Sequence, residues 1–309
     1  MRRASRRVIV TPEAKRRNVM SEITVDTGAC NGCGACTLVC IAHVYNLVEK
    51  KAIAASTQFC WRCGHCVAAC PVGAIAHADY PLTECPILEP DELPGYEDLV
   101  NTFRERRSTR SFREKSIPRS QLQELLEIGR FAPTGSNSQN VDWLALDNRA
   151  KIQELSRRTV ECLAATSRTL RRPLIKAYFH LTKGRQYSTM LWQFAQKLAT
   201  LKKRQEAGDD PIFFRAPAVV VALAPKADGS ARDNAVHALY NVELAARRLG
   251  LATCQMGFMA FALERNRSLR EFLGVPKDKS TQAVLAIGYP RVTYHRAIPR
   301  RKPRVTWVG

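Results

Sequence analysis

The chain has 309 residues, of which 45% are hydrophobic and 25% are charged, and this composition is typical of a globular protein. No run approaches the roughly eighteen uninterrupted apolar residues of a membrane-spanning helix, so membrane insertion is not predicted. The net charge of +20 suggests nucleic-acid binding, but its distribution disfavours that class, because residues 18–90 carry six acidic and only three basic side chains.

Residues 1–19 form a basic arm with seven Lys and Arg side chains against one Glu. The opening MRRASRRVIV has the paired arginines of a twin-arginine export signal, but the apolar segment that should follow them is missing. We therefore predict a cytoplasmic protein whose first 19 residues are a disordered arm.

Two matching cysteine runs follow. The first has the spacing C-x2-C-x2-C-x3-C over residues 30–40, and the second repeats it over residues 60–70. This is the spacing of bacterial two-cluster ferredoxins, in which three cysteines surround one iron–sulfur cluster and the fourth ligates the other. We expect Gly32, Gly34 and Gly64 to let the loops curl tightly, and the fourth cysteine of each run to begin a helix.

The crossed pattern assigns eight cysteines to two [4Fe–4S] clusters. The ligands are Cys30, Cys33, Cys36 and Cys70 for the first cluster, and Cys60, Cys63, Cys66 and Cys40 for the second. Zinc is the alternative metal. Zinc ribbons bind through pairs of cysteines, and two runs of four cysteines fit this pattern poorly. Disulfides are disfavoured in a cytoplasmic chain. The other cysteines, Cys85, Cys162 and Cys254, are interpreted as small core residues.

The next segment marks a boundary and then a basic motif. Residues 88–99, LEPDELPGYEDL, are rich in Pro and acidic residues, and a helical pattern begins near Glu97. In RRSTRSF, residues 106–112, an extended backbone would point Arg106, Ser108 and Arg110 to one side, because side chains alternate along a strand. Two guanidinium groups and a hydroxyl suit a phosphate, and a solvated arginine loop is the alternative.

Helix, loop and strand signals continue to the end of the chain. SIPRSQLQELLEIGRFAP predicts a helix with Ser116 as its cap, followed by the small polar loop TGSNSQN, residues 134–140, and a strand, VDWLALD. Residues 215–224, RAPAVVVALA, predict a buried strand, and residues 231–254 predict a long helix.

These segments resemble the nitroreductase family of flavoproteins. The resemblance rests on Arg-Arg-Ser-x-Arg-x-Phe at residues 106–112 and Ala-Pro-Thr-Gly-Ser-Asn-Ser-Gln at residues 132–139, separated by a helix of suitable length. It continues through QMGF at residues 255–258 and AVLAIGYP at residues 283–290. Together with the cysteine runs, the chain resembles a ferredoxin–nitroreductase fusion.

The resemblance implies an α+β protein in two parts. Residues 20–90 are expected to form a bacterial ferredoxin-like domain, and residues 97–309 an FMN-binding domain with a mixed, mostly antiparallel sheet flanked by helices. It further implies an intertwined homodimer with FMN at the subunit interface. The basic tail PRRKP is expected to reach the flavin phosphate through Arg301, with a solvated tail as the alternative.

The resemblance also assigns residues to the FMN site. The phosphate and ribityl chain are assigned to Arg106, Arg107, Ser108 and Arg110. The flavin ring is assigned to Thr134, Gly135 and Asn137 of the other subunit, and to Gln255, Met256 and Gly257. Backbone N–H groups of the last three can stabilise the reduced, anionic ring.

Residues 157–210 depart most from the short members of the family and predict long basic helices. The resemblance implies that the substrate pocket varies here. Tyr187, Trp192 and Phe194 are candidates to line that pocket, with core packing as the alternative for each.

FMN accepts electrons singly and passes them on in pairs, which is a physical reason to join it to iron–sulfur clusters. We therefore predict an FMN-dependent reductase that receives electrons through two [4Fe–4S] clusters and reduces a small organic acceptor, a nitroaromatic or a quinone. Ferredoxin, flavodoxin and NAD(P)H are the candidate donors, and no catalytic side chain is assigned. The alternative is a non-enzymatic electron-transfer adaptor for a protein partner.

Overall fold

The computed structural model describes residues 22–309. The arm predicted at residues 1–19 lies outside the described residues. The chain divides into two units, one that ends at Leu93 and one that spans Pro94–Gly309. Each unit has its own buried core.

The first unit consists of short strands and helices around the cysteine runs. Its elements are β1 (Ile23–Val25), α1 (Ala35–Val39), β2 (Tyr45–Val48), β3 (Lys51–Ala54), α2 (His65–Ala69) and β4 (Ile75–His77). β1 pairs with β4 and β2 pairs with β3, both antiparallel. Val44, Tyr45 and Ile75 are buried beside the cysteines and form the core that holds the two runs together.

The prediction that the fourth cysteine of each run begins a helix is wrong. The third cysteine, Cys36 or Cys66, lies inside the helix, and the fourth, Cys40 or Cys70, follows the helix in extended backbone. The physical reason is that the glycine two residues before the third cysteine has a left-handed φ of about 75° and turns the chain into the helix there.

The second unit is built on a four-stranded antiparallel sheet with strand order β5-β6-β8-β7. Its strands are β5 (Asp142–Leu146), β6 (Ala218–Pro225), β7 (Ala252–Gln255) and β8 (Lys279–Gly288). Its helices are α3 (Tyr96–Glu105), α4 (Arg119–Glu127), α5 (Arg149–Leu170), α6 (Pro173–Glu206), α7 (Ala231–Ala246), α8 (Gly257–Arg265) and α9 (Arg267–Leu273). The predicted α+β class, with a mostly antiparallel sheet flanked by helices, is confirmed.

Helices cover both faces of this sheet, which explains the uninterrupted apolar sequence of β6. Val219 and Val221 pack with α5, α8 and α9 on one face, whereas Ala218 and Val220 pack with α4 and α7 on the other. Successive side chains of a strand point to opposite faces, so a strand buried on both faces needs apolar residues at every position. The buried strand predicted within residues 215–224 is confirmed.

Two predicted helix boundaries are wrong. α4 begins at Arg119, so Ser116 is not its cap; a residue that precedes a proline favours extended backbone, which keeps the chain before Pro118 out of the helix. α7 ends at Ala246 and not near residue 254, because Gly250 has a left-handed φ of 70° and the chain then enters β7.

The long helices predicted within residues 157–210 are α5 and α6. The backbone of α6 is interrupted at Gly184, where φ is 84° and ψ is 168°. The hydroxyl of Ser167 in α5 donates to the carbonyl of Ala195 at 2.7 Å, which ties α5 to the part of α6 after this break. In residues 22–309, no helix has the length and apolarity that crossing a membrane requires.

Candidate cofactor sites

Backbone N–H groups converge on the sulfur atoms of both cysteine runs. The N–H of Val44 donates to Cys40 Sγ at 3.4 Å, and the N–H of Ala74 donates to Cys70 Sγ at 3.2 Å. In each run the donor lies four residues after the fourth cysteine. Such bonds stabilise thiolate ligands and tune the potential of an iron–sulfur cluster, so the loops fit the cofactor that their spacing predicts.

Gly32 and Arg62 occupy equivalent positions in the two runs, and both have positive φ, 74° and 54°. A Cβ at Gly32 would lie 2.1 Å from the carbonyl oxygen of Lys50, so glycine is required there. Arg62 is held instead by its side chain, because its Nε donates to Asp79 Oδ2 at 2.6 Å. Sequence reasoning missed the Arg62–Asp79 pair because no spacing rule connects these positions.

The cysteine thiols sit in two kinds of environment. Backbone N–H groups of Ala52 and Gly32 lower the pKa of Cys30. Burial raises the pKa of the thiols of Cys36 and Cys66. Iron deprotonates a thiol that ligates it, so metal binding would have to overcome this effect of burial at Cys36 and Cys66.

Zinc, the alternative metal for the cysteine runs, requires several ligand groups around one ion. Within the described part of the chain, no three Cys, His, Asp or Glu side chains are grouped closely enough to hold one ion. Zinc–sulfur bonds of about 2.3 Å would bring the sulfurs to within roughly 4 Å of one another. The assignment to iron–sulfur clusters rests on the C-x2-C-x2-C-x3-C spacing of the two runs.

Replacement of Cys40 by Ala is expected to remove the cluster of the second run and spare the other, because the ligation is crossed. Iron and acid-labile sulfide should each fall from about eight to about four per chain. Cys70→Ala should lose the cluster of the first run and retain the cluster of the second run. Its EPR spectrum after reduction should therefore differ from that of Cys40→Ala. Cys85→Ala is the matched control, since Cys85 is half-buried in the same unit and lies outside the pattern. Equal loss in this control would contradict the assignment.

Residues 106–110, which we term the arginine segment, lie along the edge strand β7. Ser108 forms a parallel bridge with Thr253, and the N–H of Thr109 donates to the Thr253 carbonyl at 2.9 Å. Thr109 is buried, whereas Arg110 is exposed. The segment is therefore extended, as its interpretation as a phosphate-binding motif requires.

Three side chains of the arginine segment share one neighbour, the buried thiol of Cys254. Burial raises the pKa of Cys254, whereas the charges of Arg110 and Arg106 and the hydrogen bond with Ser108 lower this pKa. These three residues are the ones expected on one side of an extended segment. The buried position of Cys254 also agrees with its interpretation as a small core residue.

Residues 255–257, which we term the ring segment, join β7 to α8. Met256 is buried, and its N–H donates to the Val284 carbonyl at 2.8 Å, so this donor is used within the sheet. Gly257 opens α8, where the first N–H groups have no partner inside the helix. A Cβ at Gly257 would meet no atom within 4 Å. Contrary to expectation, the Met256 N–H is therefore not available to the flavin ring, and the ring segment offers the exposed position at Gly257 and the first N–H groups of α8.

Glu243 of α7 connects the arginine segment with the ring segment. Its Oε2 accepts from Gln255 Nε2 at 2.7 Å, and its Oε1 lies 3.8 Å from Arg106 Nη1. Thr253 Oγ1 donates to the same Oε1 at 3.4 Å. The sequence did not indicate this residue, because it lies on the buried face of a helix among apolar positions.

Asn234, near the start of α7, fastens the small polar loop of residues 134–140. Its Oδ1 accepts from the N–H of Gly135 at 2.9 Å, and its Nδ2 donates to Ser138 Oγ at 3.2 Å. Ser136 and Asn137 have φ values of 50° and 51°. Backbone strain of this kind is typical of ligand-binding loops.

The small polar loop and the arginine segment of one protomer do not meet. Asn234 and Glu243 are nine residues apart on α7, which separates them by about 14 Å along the helix and about half a turn around it. The structure thus brings Arg106 and Ser108 together with Gln255, and it leaves the loop with Thr134, Gly135 and Asn137 on the other side of α7.

Arg107 and Arg301 stand apart from these groups. The guanidinium of Arg107 donates to the carbonyl oxygens of Arg104 at 2.8 Å and Arg296 at 3.4 Å, so it anchors the start of the C-terminal tail. Arg301 is exposed within residues 291–309, which contain no helix or strand.

The three aromatic residues considered for the substrate pocket have different surroundings. Phe194 packs into the core, with its ring centroid 5.6 Å from that of Phe261. Trp192 is half-buried beneath Lys176, and Tyr187 is exposed. Core packing therefore accounts for Phe194, and Tyr187 and Trp192 stay candidates.

Comparison with known proteins identifies both modules. Residues 103–289 match the model of the nitroreductase family, and residues 29–75 match the model of the 4Fe-4S dicluster domain. Because the first match spans more than half of the chain, the protein belongs to the nitroreductase family, and a 4Fe-4S dicluster domain precedes its family domain. The resemblance predicted from the motifs is confirmed.

Two relatives and one solved structure illustrate the similarity. The 4-nitrobenzoate reductase of Nocardioides sp. (strain LMS-CY) is 28% identical over 210 residues, 64% of this chain and 82% of the relative. The chloronitrobenzene nitroreductase of Comamonas testosteroni is 23% identical over 206 residues, 63% of this chain and 87% of the relative. The crystal structure of an FMN-bound nitroreductase from Bacteroides fragilis NCTC 9343 shares the fold, with a TM-score of 0.52 and 22% identity over 69% of this chain and 99% of its own.

Proposed function

We propose that this protein is an FMN-dependent oxidoreductase that receives electrons through two [4Fe–4S] clusters and reduces a small oxidised organic acceptor. The observation that carries the proposal is the position of the arginine segment along β7, the strand that leads to the open space at Gly257. The paired cysteine runs in the same chain supply the reason to expect single-electron input.

The arginine segment would hold the FMN phosphate, and the ring segment would lie along the flavin ring. Two guanidinium groups and the Ser108 hydroxyl provide several charge-assisted bonds to a dianionic phosphate. The N-terminus of α8 favours negative charge, such as the charge that develops on a reduced flavin. FMN, when bound, supplies one-electron and two-electron chemistry, and these segments supply binding and orientation. The FMN-bound nitroreductase of the same fold supports this cofactor.

We infer that the active form is a homodimer. Thr134, Gly135 and Asn137 are separated from the arginine segment of their own protomer by α7. The corresponding loop of a second copy would complete the ring site. Arg107 would contribute indirectly, by holding the tail that carries Arg301 near the phosphate.

A nitroaromatic compound or a quinone is the proposed acceptor. The names of two relatives, a 4-nitrobenzoate reductase and a chloronitrobenzene nitroreductase, support the nitroaromatic class. Reduced ferredoxin or flavodoxin is the proposed donor, because low-potential carriers deliver electrons singly to clusters of this type.

Mixing the reduced chain with acceptors tests this function. The purified chain should contain FMN and about eight irons. After anaerobic photoreduction, 4-nitrobenzoate or a quinone should reoxidise the flavin at a rate that saturates with acceptor concentration. A reduced chain that no nitroaromatic compound or quinone reoxidises would contradict the proposed enzyme.

The basic surface of α5 and α6 favours a second candidate, an electron-transfer adaptor for an acidic protein. Residues 162–205 contain ten Lys and Arg and no Asp or Glu. Leu174 and Leu181 are 84% and 83% exposed in the same stretch. Charge complementarity would steer an acidic partner to this surface. Reoxidation by a protein acceptor alone, with small acceptors inactive, would identify this role.

A further inference from the structure

We propose that Glu243 is a positioning residue of the FMN site. Its buried carboxylate holds Arg106 and Gln255 in fixed orientations, so that the arginine segment and the ring segment are preorganised before the flavin binds. This inference rests on the proposed function and adds to it a residue from outside both segments.

The position of Glu243 on α7 is one where an apolar residue is expected. Ala235, Leu239, Val242 and Ala246 on the same helix are all 0% exposed, and Glu243 itself is only 1% exposed. A buried carboxylate is strongly unfavourable unless polar or charged groups surround it. The groups that compensate this carboxylate therefore indicate why it is there.

The polar partners of Glu243 belong to the two proposed flavin segments and the strand between them. The 2.7 Å bond from Gln255 Nε2 turns the amide nitrogen toward Glu243 and its oxygen away. Arg106 Nη1 lies at an ionic distance of 3.8 Å, and a guanidinium has five N–H donors. Arg106 can therefore interact with the carboxylate and with a phosphate at the same time.

Removal of the carboxylate would leave Arg106 without this ionic partner and Gln255 without this acceptor. Both side chains would then have to be ordered when FMN binds, which weakens binding. The negative charge of Glu243 beside the ring segment also disfavours the anionic reduced flavin. Its neutralisation should therefore shift the flavin potential to more positive values.

Titration of FMN into the FMN-depleted full chain, with spectroelectrochemistry of the reloaded protein, tests the inference. Glu243→Gln keeps an acceptor for Gln255 and should raise the Kd for FMN about tenfold, whereas Glu243→Leu should raise it about a hundredfold. Both variants should shift the potential to more positive values and retain their iron. Asp233→Asn is the matched control, because Asp233 is exposed on the same helix; it should change neither quantity.

A double-mutant cycle separates positioning from a general structural effect. In an Arg106→Ala background, Glu243→Gln should change the Kd by less than about threefold, because the partner through which it acts is missing. A full tenfold effect in that background would overturn the inference, as would an unchanged Kd and potential in Glu243→Gln alone. Either of these results would leave the proposed function in place. A wild-type chain that binds no FMN would overturn the inference and the proposed function together.

Discussion

The double variant Arg106→Ala with Arg110→Ala is expected to lose FMN and to keep both iron–sulfur clusters. The two guanidinium groups are presented by an extended segment beside β7, where they share the neighbour Cys254. A hydrogen bond to a charged group contributes about 1.5–3 kcal/mol, so the loss of two should weaken FMN binding by a factor of about 10² to 10⁴. The clusters should stay, because their ligands all lie in the first unit.

Flavin absorbance after gel filtration and a titration of the flavin-free chain would measure this loss. Arg113→Ala with Arg130→Ala is the matched control, since it removes the same charge from side chains that contact Pro290 and Glu127 instead. It should retain wild-type FMN binding. Stoichiometric flavin in the Arg106→Ala, Arg110→Ala variant after dilution would show that the phosphate assignment is wrong.

Features set by short stretches of sequence were predictable. The left-handed glycines expected in the cysteine runs, Gly32, Gly34 and Gly64, follow from the tight loops that the spacing requires. The buried strand β6 followed from an uninterrupted apolar run, whereas the extended backbone of the arginine segment was assumed and is set by its pairing with β7. For the glycines and for β6, the physical constraint acts between neighbours in the chain.

Features that depend on distant contacts were not predictable. The buried carboxylate of Glu243 depends on polar contacts with Arg106, Thr253 and Gln255, and Arg106 is more than a hundred positions away in the chain. Asn234 holds a loop that is 99 residues earlier in the chain. Local propensity also failed at the end of α7, where the helical pattern continues but Gly250 turns the chain into a strand.

The second prediction with a large expected effect concerns the donor from which the flavin receives its electrons. A nicotinamide could reduce a flavin directly, without clusters, whereas eight cysteine ligands suit electrons that arrive one at a time. A chain that begins at Pro94 should therefore lose reduction of its flavin by reduced ferredoxin or flavodoxin. It should still be reoxidised by a nitroaromatic compound once its flavin has been reduced chemically, because the second unit contains the complete family match.

Anaerobic stopped-flow reduction of the flavin, in the full chain and in the chain that begins at Pro94, tests this account most directly. Reduced ferredoxin, reduced flavodoxin and NADPH would each be mixed with both proteins while flavin absorbance is followed. The account predicts rapid reduction of the full chain by a low-potential carrier, loss of that reduction in the shorter chain, and slow or absent reduction by NADPH in both. Equally fast reduction of both proteins by NADPH would contradict the claim that the clusters supply the flavin.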